Sequence, residues 1–387
     1  MLAVLRSGWL TTGPRVRQFE EAFASAVGAR HAVAVNSATA ALHLAVEALG
    51  LGRGSRMQAV LVPTMTFAAT AEVVRYMNAV PILVDCDPAS LNIDFADAER
   101  KLVQARRGDL AGHGVVDVVG IIPVHVGGVM VDLDELAQFS AAHHLWVVED
   151  AAHAFPAAWR RTADDSWTSC GSASSAVTCF SFYANKTITT GEGGMAVTAD
   201  EGLAERMRLM SLHGLSRDAW SRYAADGSWD YQIVEPGFKY NLTDISAAIG
   251  LGQLRRSEEM RDARESLAMR YTEQLRRIAE IEPPPWPHNR LHAWHLYPVR
   301  LRLNRLRIGR AAFIEQLQNA SIGCSVHWRP LHLHPYYRAF GWMPEEFPVA
   351  SCEWERLVSL PLFPSMTTHE QDFVVDTVAE ICAANRI

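Results

Sequence analysis

Val118-Val119-Gly120-Ile121-Ile122-Pro123-Val124 and Leu145-Trp146-Val147-Val148-Glu149-Asp150 bracket a helical pattern that runs from Leu133 to His143. Each bracket is a nearly continuous apolar run. Strands buried on both faces read this way, and parallel neighbours need a long crossover that is usually a helix. The alternation continues upstream. Ala59-Val60-Leu61-Val62-Pro63 reads as a strand, Thr66 to Tyr76 as a helix, Pro81-Ile82-Leu83-Val84-Asp85 as a strand and Phe95 to Val103 as a helix. Before these, Arg15 to Val27 spaces Phe19, Phe23 and Val27 along one helix face. His31-Ala32-Val33-Ala34-Val35 then leads through Asn36-Ser37-Ala38-Thr39 into a helix former from Ala40 to Leu49. The fold class expected is α/β, with a large domain built on a mostly parallel sheet flanked by helices.

The C-terminal part reads differently. A long helix is expected from Thr243 to Ile278, with Leu267, Tyr271, Leu275 and Ile278 on one face of its second half. Pro283-Pro284-Pro285-Trp286-Pro287 ends it and marks a change of domain. Short strands (His295 to Leu303) then alternate with helices (Ala311 to Asn319, Gln371 to Ala383), which predicts a smaller α+β domain. The expected division is 1–260 and 261–387, with helix 243–278 as the shared connector. Thr162 to Ser175 is a polar patch expected to be a loop. Arg217 to Gly237 is a second polar stretch, but Trp220, Tyr223, Trp229 and Tyr231 make it too aromatic for a floppy linker.

Bulk properties exclude several classes. With 387 residues, 49% hydrophobic and 20% charged, the chain can bury a large core and is not disordered. A formal net charge of −7, without a basic run, argues against nucleic acid as a partner. No apolar run approaches the roughly 18 residues of a membrane span, and no signal peptide follows Met1. Six scattered cysteines without a CxxC pair suit a reduced, cytoplasmic protein.

In open parallel sheets ligands bind beyond the carboxyl ends of the strands. The polar residues expected there are Asn36-Ser37, Thr66, Asp85, His125, Asp150, Ser181 and Lys186. Lys186 is the only lysine or arginine between Arg161 and Arg206, and it stands between the apolar strand Cys179-Phe180-Ser181-Phe182 and the run Thr190-Gly191-Glu192-Gly193-Gly194. Held among apolar walls it would be a free amine, a nucleophile for a carbonyl; otherwise it is a solvated lysine at a strand end. Asp150 ends a buried strand, where a carboxylate is costly unless paired. It is either the partner of a protonated heterocycle nitrogen or an N-cap, with His153 on the same turn. The Ser37-Ala38-Thr39 turn opens a helix, which suits a phosphate as well as simple capping.

Two motifs are declined. Gly191-Glu192-Gly193-Gly194-Met195-Ala196 fits a dinucleotide fingerprint in form, but a strand follows where a helix is needed. His332-Leu333-His334 with His327 lacks cysteine or acidic partners at zinc-ligand spacing, so no metal is assigned and these histidines are expected to be solvated or substrate-facing. The absence of G-x-S-x-G weakens a hydrolase reading.

Taken together, the phosphate turn, Glu149-Asp150-Ala151-Ala152-His153, Phe180-Ser181-Phe182-Tyr183 with Lys186, and Thr190-Gly191-Glu192-Gly193-Gly194 resemble the DegT/DnrJ/StrS-type sugar aminotransferases. The resemblance continues through Ser7-Gly8-Trp9-Leu10-Thr11-Thr12-Gly13-Pro14, Pro236-Gly237-Phe238-Lys239-Tyr240-Asn241-Leu242-Thr243-Asp244 and Ser359-Leu360-Pro361-Leu362-Phe363-Pro364, and so covers essentially the whole chain. It implies an aspartate-aminotransferase-like fold of type I, pyridoxal 5'-phosphate as cofactor, and a homodimer with shared active sites.

By position, Lys186 would bond the cofactor and shuttle the proton, and Asp150 would hold the pyridinium. Phe67 would stack on the ring, with His153 near its 3-oxygen. Ser37, Ala38, Thr39 and Ser181 would take the phosphate, which Asn241 would reach from the neighbouring subunit. His327, Lys239 and Tyr183 would face the substrate. The implied reaction is double displacement, in which glutamate or glutamine gives its amino group to the cofactor and a nucleotide-linked keto-deoxyhexose receives it. A keto-inositol or free keto-sugar is the alternative acceptor, and a non-catalytic cofactor-binding regulator the alternative class. Relatives with histidine at the lysine position dehydrate sugars instead, and Lys186 argues against that. Three departures stand out: a sequence that begins at Met1 inside the first family helix, added residues from Gln104 to Gly114, and a longer polar segment from Arg160 to Ser175.

Overall fold

The structure, a computed structural model, describes residues 1–110, 112, 114–172, 175–216 and 231–387. In chain order its first strands are β1 (His31–Val35), β2 (Gln58–Pro63), β3 (Val80–Val84), β4 (Asp117–Ile121) and β5 (Trp146–Asp150). Two-residue strands β6 (Ala158–Trp159) and β7 (Thr168–Ser169) follow, then β8 (Val177–Ser181) and β9 (Gly194–Thr198). The central sheet runs β1-β9-β8-β5-β4-β2-β3. β9 is antiparallel to both its neighbours, and every other pairing in the sheet is parallel. The mainly parallel α/β expectation holds.

Helices α1 (Leu2–Ser7), α2 (Pro14–Val27), α3 (Ala38–Ala48), α4 (Ala69–Tyr76), α5 (Phe95–Arg107), α6 (Leu133–His143) and α7 (Glu201–Ser211) flank this sheet or lead into it. Their starts follow from local chemistry. Ser37 accepts from the Ala40 N–H, Asp94 from those of Ala96 and Asp97, and Asp132 from those of Asp134 and Glu135, so each first turn has orphan donors satisfied. α5 runs four residues beyond Val103, the end expected for it, and stops at Gly108, whose φ of +80° a side chain would strain.

Later strands are β10 (Ile281–Glu282), β11 (Arg290–Leu291), β12 (Tyr297–Leu301) and β13 (Leu357–Leu360). β10, β12 and β13 form an antiparallel sheet over a second hydrophobic cluster, which includes Leu267, Tyr271, Leu275, Val299, Val358 and Val378. Leu331, Tyr337, Trp342 and Phe347 join the first cluster instead, so the C-terminal part is sewn onto the large sheet. Among the described residues no helix is long and apolar enough to cross a membrane.

Three expectations need correction. The helix 243–278 is two helices, Asp244–Leu254 and Ser257–Leu275, because Arg256 leaves helical geometry at φ −113° and ψ 8°. The two halves serve different cores. Gly250 lies so close to Phe19 that a Cβ there would stand 2.6 Å from the ring, whereas Leu267, Tyr271 and Leu275 face the second cluster. The 162–175 patch is not wholly loop, since β7 pairs with β6, and β6 in turn with β11, in a small sheet. His332 is neither solvated nor turned to a cavity: it is buried, stacked on Phe347 and hydrogen-bonded to Thr64 and Ser351. Most of the aromatic stretch 217–237, with Trp220, Tyr223 and Trp229, lies outside the described residues.

Candidate active site

A cavity of about 470 Å³ opens beyond the carboxyl ends of β1, β5 and β8. Ser37, Ala38, Thr39, Phe67, Asp150, His153, Ser181, Tyr183, Lys186 and His327 all line it. Ten residues chosen from scattered parts of the sequence thus share one space. Lys239 and Asn241 are not among them. Asn241 donates to Thr12 Oγ1 at 2.7 Å, accepts from Lys239 and lines a different hollow beside Thr12 and Arg17.

One end of the cavity is a helix N-terminus. β9 abuts it so closely that a Cβ on Gly194 would fall 2.5 Å from the Ser37 carbonyl and 2.7 Å from Ala38 N, so only glycine allows the approach. Here the α3 backbone N–H groups and the Ser181 hydroxyl offer donors to an anion. Deeper in lies Asp150. Oδ2 accepts from Thr70 Oγ1 at 2.8 Å and Oδ1 from the Ala152 N–H at 3.1 Å, and a turn rather than a helix follows it. The N-cap alternative for Asp150 is thereby removed. Burial raises its pKa above the usual carboxylate range, opposed by the Thr70 and Ala152 hydrogen bonds and by the charge of Lys186. Among the described residues no cation is bonded to this buried carboxylate, so its charge is left to the two hydrogen bonds and the more distant Lys186.

Behind Asp150, its neighbour Glu149 is also buried. Burial pushes the Glu149 acid up, but hydrogen bonds from His125 (2.8 Å) and Thr178 (3.1 Å) outweigh that and hold it low. Cys170 lies beside this pair, yet both His125 nitrogens are already engaged, Nε2 with Glu149 and Nδ1 with the Val131 N–H.

Lys186 is drawn down to about 8 by desolvation, against the charge of Asp150. Three histidines surround it, and burial keeps each neutral at pH 7. His153 and His295 are pushed well below the usual imidazole range and His327 to about 4, all helped by the nearby lysine charge. His153 Nδ1 accepts the Gly127 N–H at 3.3 Å, which leaves its proton on Nε2. Its ring stacks on Trp328 with centroids 5.0 Å apart. Phe67 lines the cavity yet is 63% exposed, an aromatic face without a cover. His295, Trp328 and Thr70 escaped the sequence reading. The two former come from beyond residue 290, where a lone histidine or tryptophan reads as core.

A flat heterocycle carrying a phosphate fits this donor set: a helix end for the phosphate, a carboxylate for a ring nitrogen, and an amine within the same walls. Residues 1–379 match the DegT/DnrJ/EryC1/StrS aminotransferase family. The spore coat polysaccharide biosynthesis protein SpsC of Bacillus subtilis is 41% identical over 379 residues, covering 97% of this chain and 92% of SpsC. The chain belongs to this aminotransferase family. Solved relatives share the whole architecture. Spr1654 of Streptococcus pneumoniae, in its PLP-form, superposes with a TM-score of 0.85 at 29% identity, covering 99% of this chain and 95% of that one. The sugar aminotransferase CalS13 of Micromonospora echinospora gives 0.81 at 30% identity, with 98% and 95% covered. The resemblance seen in the motifs and the type I fold are thus both upheld for this aminotransferase.

Proposed function

We propose that this aminotransferase uses pyridoxal 5'-phosphate to move an amino group from glutamate, or glutamine, to a nucleotide-linked keto-deoxyhexose. The observation that carries the reading is a single cavity in which Lys186, lowered to about 8, and the cation-free carboxylate of Asp150 stand beyond the α3 N-terminus. When bound, the cofactor supplies an aldehyde for an amine to attack and a ring that withdraws electrons from the carbon attached to that amine. Lys186 supplies the attacking amine and, once free, takes and returns the proton of that carbon. Asp150 keeps a proton on the ring nitrogen, and Thr70 and the Ala152 N–H hold its carboxylate in place. His153, with its proton on Nε2, would donate to the ring oxygen, Phe67 would cover a ring face, and Ser37, Ala38, Thr39 and Ser181 would hold the phosphate.

His327 and Tyr183 meet the substrate in this reading. Asn241 and Lys239, turned away from their own cavity, serve the site of a second subunit, which makes the enzyme a homodimer with shared active sites. The six cysteines are all free, which suits a cytoplasmic enzyme.

Purified protein given the cofactor should show a visible absorbance band that glutamate bleaches, and Lys186→Ala should lack it. Incubation with a panel of nucleotide-linked keto-sugars and a keto-inositol tests the acceptor. Amination of the keto-inositol alone would overturn the nucleotide-sugar part of the reading.

A further inference from the structure

The only polar side-chain contact that Lys186 makes among the described residues is with a residue given no role above. Its Nζ lies 3.4 Å from Nε2 of His295. The His295 ring is 6% exposed, and its other nitrogen, Nδ1, is buried without a hydrogen-bond partner. Among the described residues Lys186 is therefore the only side-chain hydrogen-bond partner of this imidazole. The segment carrying it is tied down from several sides. Ala293 N–H donates to Gly128 O at 3.1 Å and Leu296 N–H to Gly127 O at 3.2 Å. The buried Arg264 donates to the carbonyls of Trp294 at 3.1 Å and Leu362 at 2.8 Å. Gly127 also fixes His153, so one short loop sets two facing imidazoles whose centroids are 4.2 Å apart.

The other histidines of the site are committed elsewhere. His153 Nδ1 takes the Gly127 N–H, and His327 Nδ1 is bonded to Ser359 Oγ at 3.0 Å. A neutral imidazole has one lone pair in its plane, and an ammonium has only donors. With Lys186 protonated, Nε2 of His295 must be the acceptor and Nδ1 must carry the proton.

We propose that His295 is a positioning residue that accepts a hydrogen bond from the Lys186 ammonium and holds it inside the cavity whenever the amine is not bonded to cofactor. This rests on the reading of Lys186 as the cofactor-bonding lysine. A lysine stem has four rotatable bonds and would otherwise swing toward water. Tethered, the amine stays aimed at the space the cofactor aldehyde occupies. The titratable and charged groups around the pair are Asp150, His153, Glu192, Arg264, His292 and His327. Of these, only Asp150 and Glu192 favour the charged lysine, and neither is bonded to it.

The chain has three lysines, Lys101, Lys186 and Lys239, so each can be followed separately. The full-length, cofactor-free protein is reductively methylated with 13C-formaldehyde and titrated by NMR, with Lys186 assigned by its loss in Lys186→Met. Removing an acceptor from a buried ammonium lowers its pKa. His295→Phe should therefore shift the Lys186 midpoint down by about one unit. His295→Gln, whose amide oxygen can accept in the same place, should keep it within about 0.3 units of the wild type. Lys239 should not move in either. A Lys186 midpoint unchanged in His295→Phe, or shifted equally by Phe and Gln, would overturn the proposal; if the Phe variant does not fold, His295→Leu is read instead. A wild-type protein that forms no visible band with cofactor would defeat the functional reading and leave this titration result standing.

Discussion

Two lysines of this chain are taken out of water, and their surroundings could hardly differ more. Lys101, on α5, is 2% exposed, its ammonium 3.5 Å from the centre of the Phe347 ring and 5.4 Å from that of Trp342. Nζ lies 3.2 Å from Asp97 Oδ2, close enough to pair though out of line for a hydrogen bond. Among the described residues Lys186 has no carboxylate bonded to it, only a neutral imidazole at 3.4 Å, and it borders a cavity of about 470 Å³. Desolvation lowers both. What separates them is compensation. Around Lys101 a carboxylate and two ring faces keep the charge in place, with no room for another molecule. Lys186 is left poorly compensated beside open space, so its free amine is within reach at neutral pH and has somewhere to react. A buried lysine is thus a weak sign of function until its partner and its free volume are known.

Exchanging each lysine for alanine should break the comparison most sharply. In Lys186→Ala the glutamate half-reaction should fall by roughly 10⁴-fold, the upper range for a positioned proton-transfer group, while thermal stability of the cofactor-free protein is kept or improved. Stopped-flow absorbance and calorimetry check the two halves. Asp150→Asn comes next. The amide still accepts from Thr70 but carries no charge, so the half-reaction should slow by roughly 10²–10³-fold, the scale of one lost electrostatic contact to the reacting group. The Lys186 midpoint should also drop below about 8, because the Asp150 charge is what raises it. An unchanged midpoint would separate the two groups electrostatically.

Much of this arrangement was legible in the residues themselves. Ten of the predicted site residues line one cavity: Ser37 to Thr39, Asp150, His153, Ser181 and Lys186 follow from apolar runs and capping chemistry that mark strand ends and helix starts, whereas Phe67, Tyr183 and His327 rested on the family resemblance. The direction of β9 was not legible, since an apolar run carries no arrow; the twelve residues that join β8 to β9 hold turns and no helix to carry a parallel crossover, and β9 returns antiparallel. The break at Arg256 was hidden for a similar reason, because helical spacing continues across it while the two halves face different cores. His295 and Trp328 reach the cavity only through tertiary packing of a segment more than 100 residues from Lys186. Lys101 was equally opaque. With Asp97 four residues earlier it reads as a solvated ion pair on a helix face, and only the arrival of Phe347 and Trp342 makes it interior.

That packing sets the third expectation. Lys101→Ala removes the cation from Asp97 and empties the space under the Phe347 ring. Breaking one side of a buried pair costs about 3 kcal/mol. Asp97 keeps Arg100 and the Asp85 N–H as partners, which argues against a larger loss. Urea unfolding should register the change, and turnover per folded molecule should stay near that of the wild type. Lys101→Met, which refills the space, should lose less. A Lys101→Ala enzyme that folds normally and fails only in turnover would erase the distinction drawn between the two lysines.

The smallest effect is the most direct measure of the difference in compensation. In the folded, cofactor-free protein Lys186 titrates near 8, and in the unfolded chain near 10.5. Between those values the unfolded chain binds more protons, so stability must rise with pH. The penalty for burying the ammonium is complete below about pH 8 and gone above about 10.5. From pH 7 to pH 9.5 this one group should contribute about 2 kcal/mol of added stability, at about 1.4 kcal/mol for each unit over which the two states differ. Other groups titrate in that window, so the quantity to measure is the stability difference between wild type and Lys186→Met at each pH. Lys186→Met should be the more stable protein at pH 7, and the gap should close as pH rises toward 10.5. A gap that does not change with pH would mean that the Lys186 ammonium is as well compensated as that of Lys101, and the open cavity beside it would then be no sign of a reactive amine.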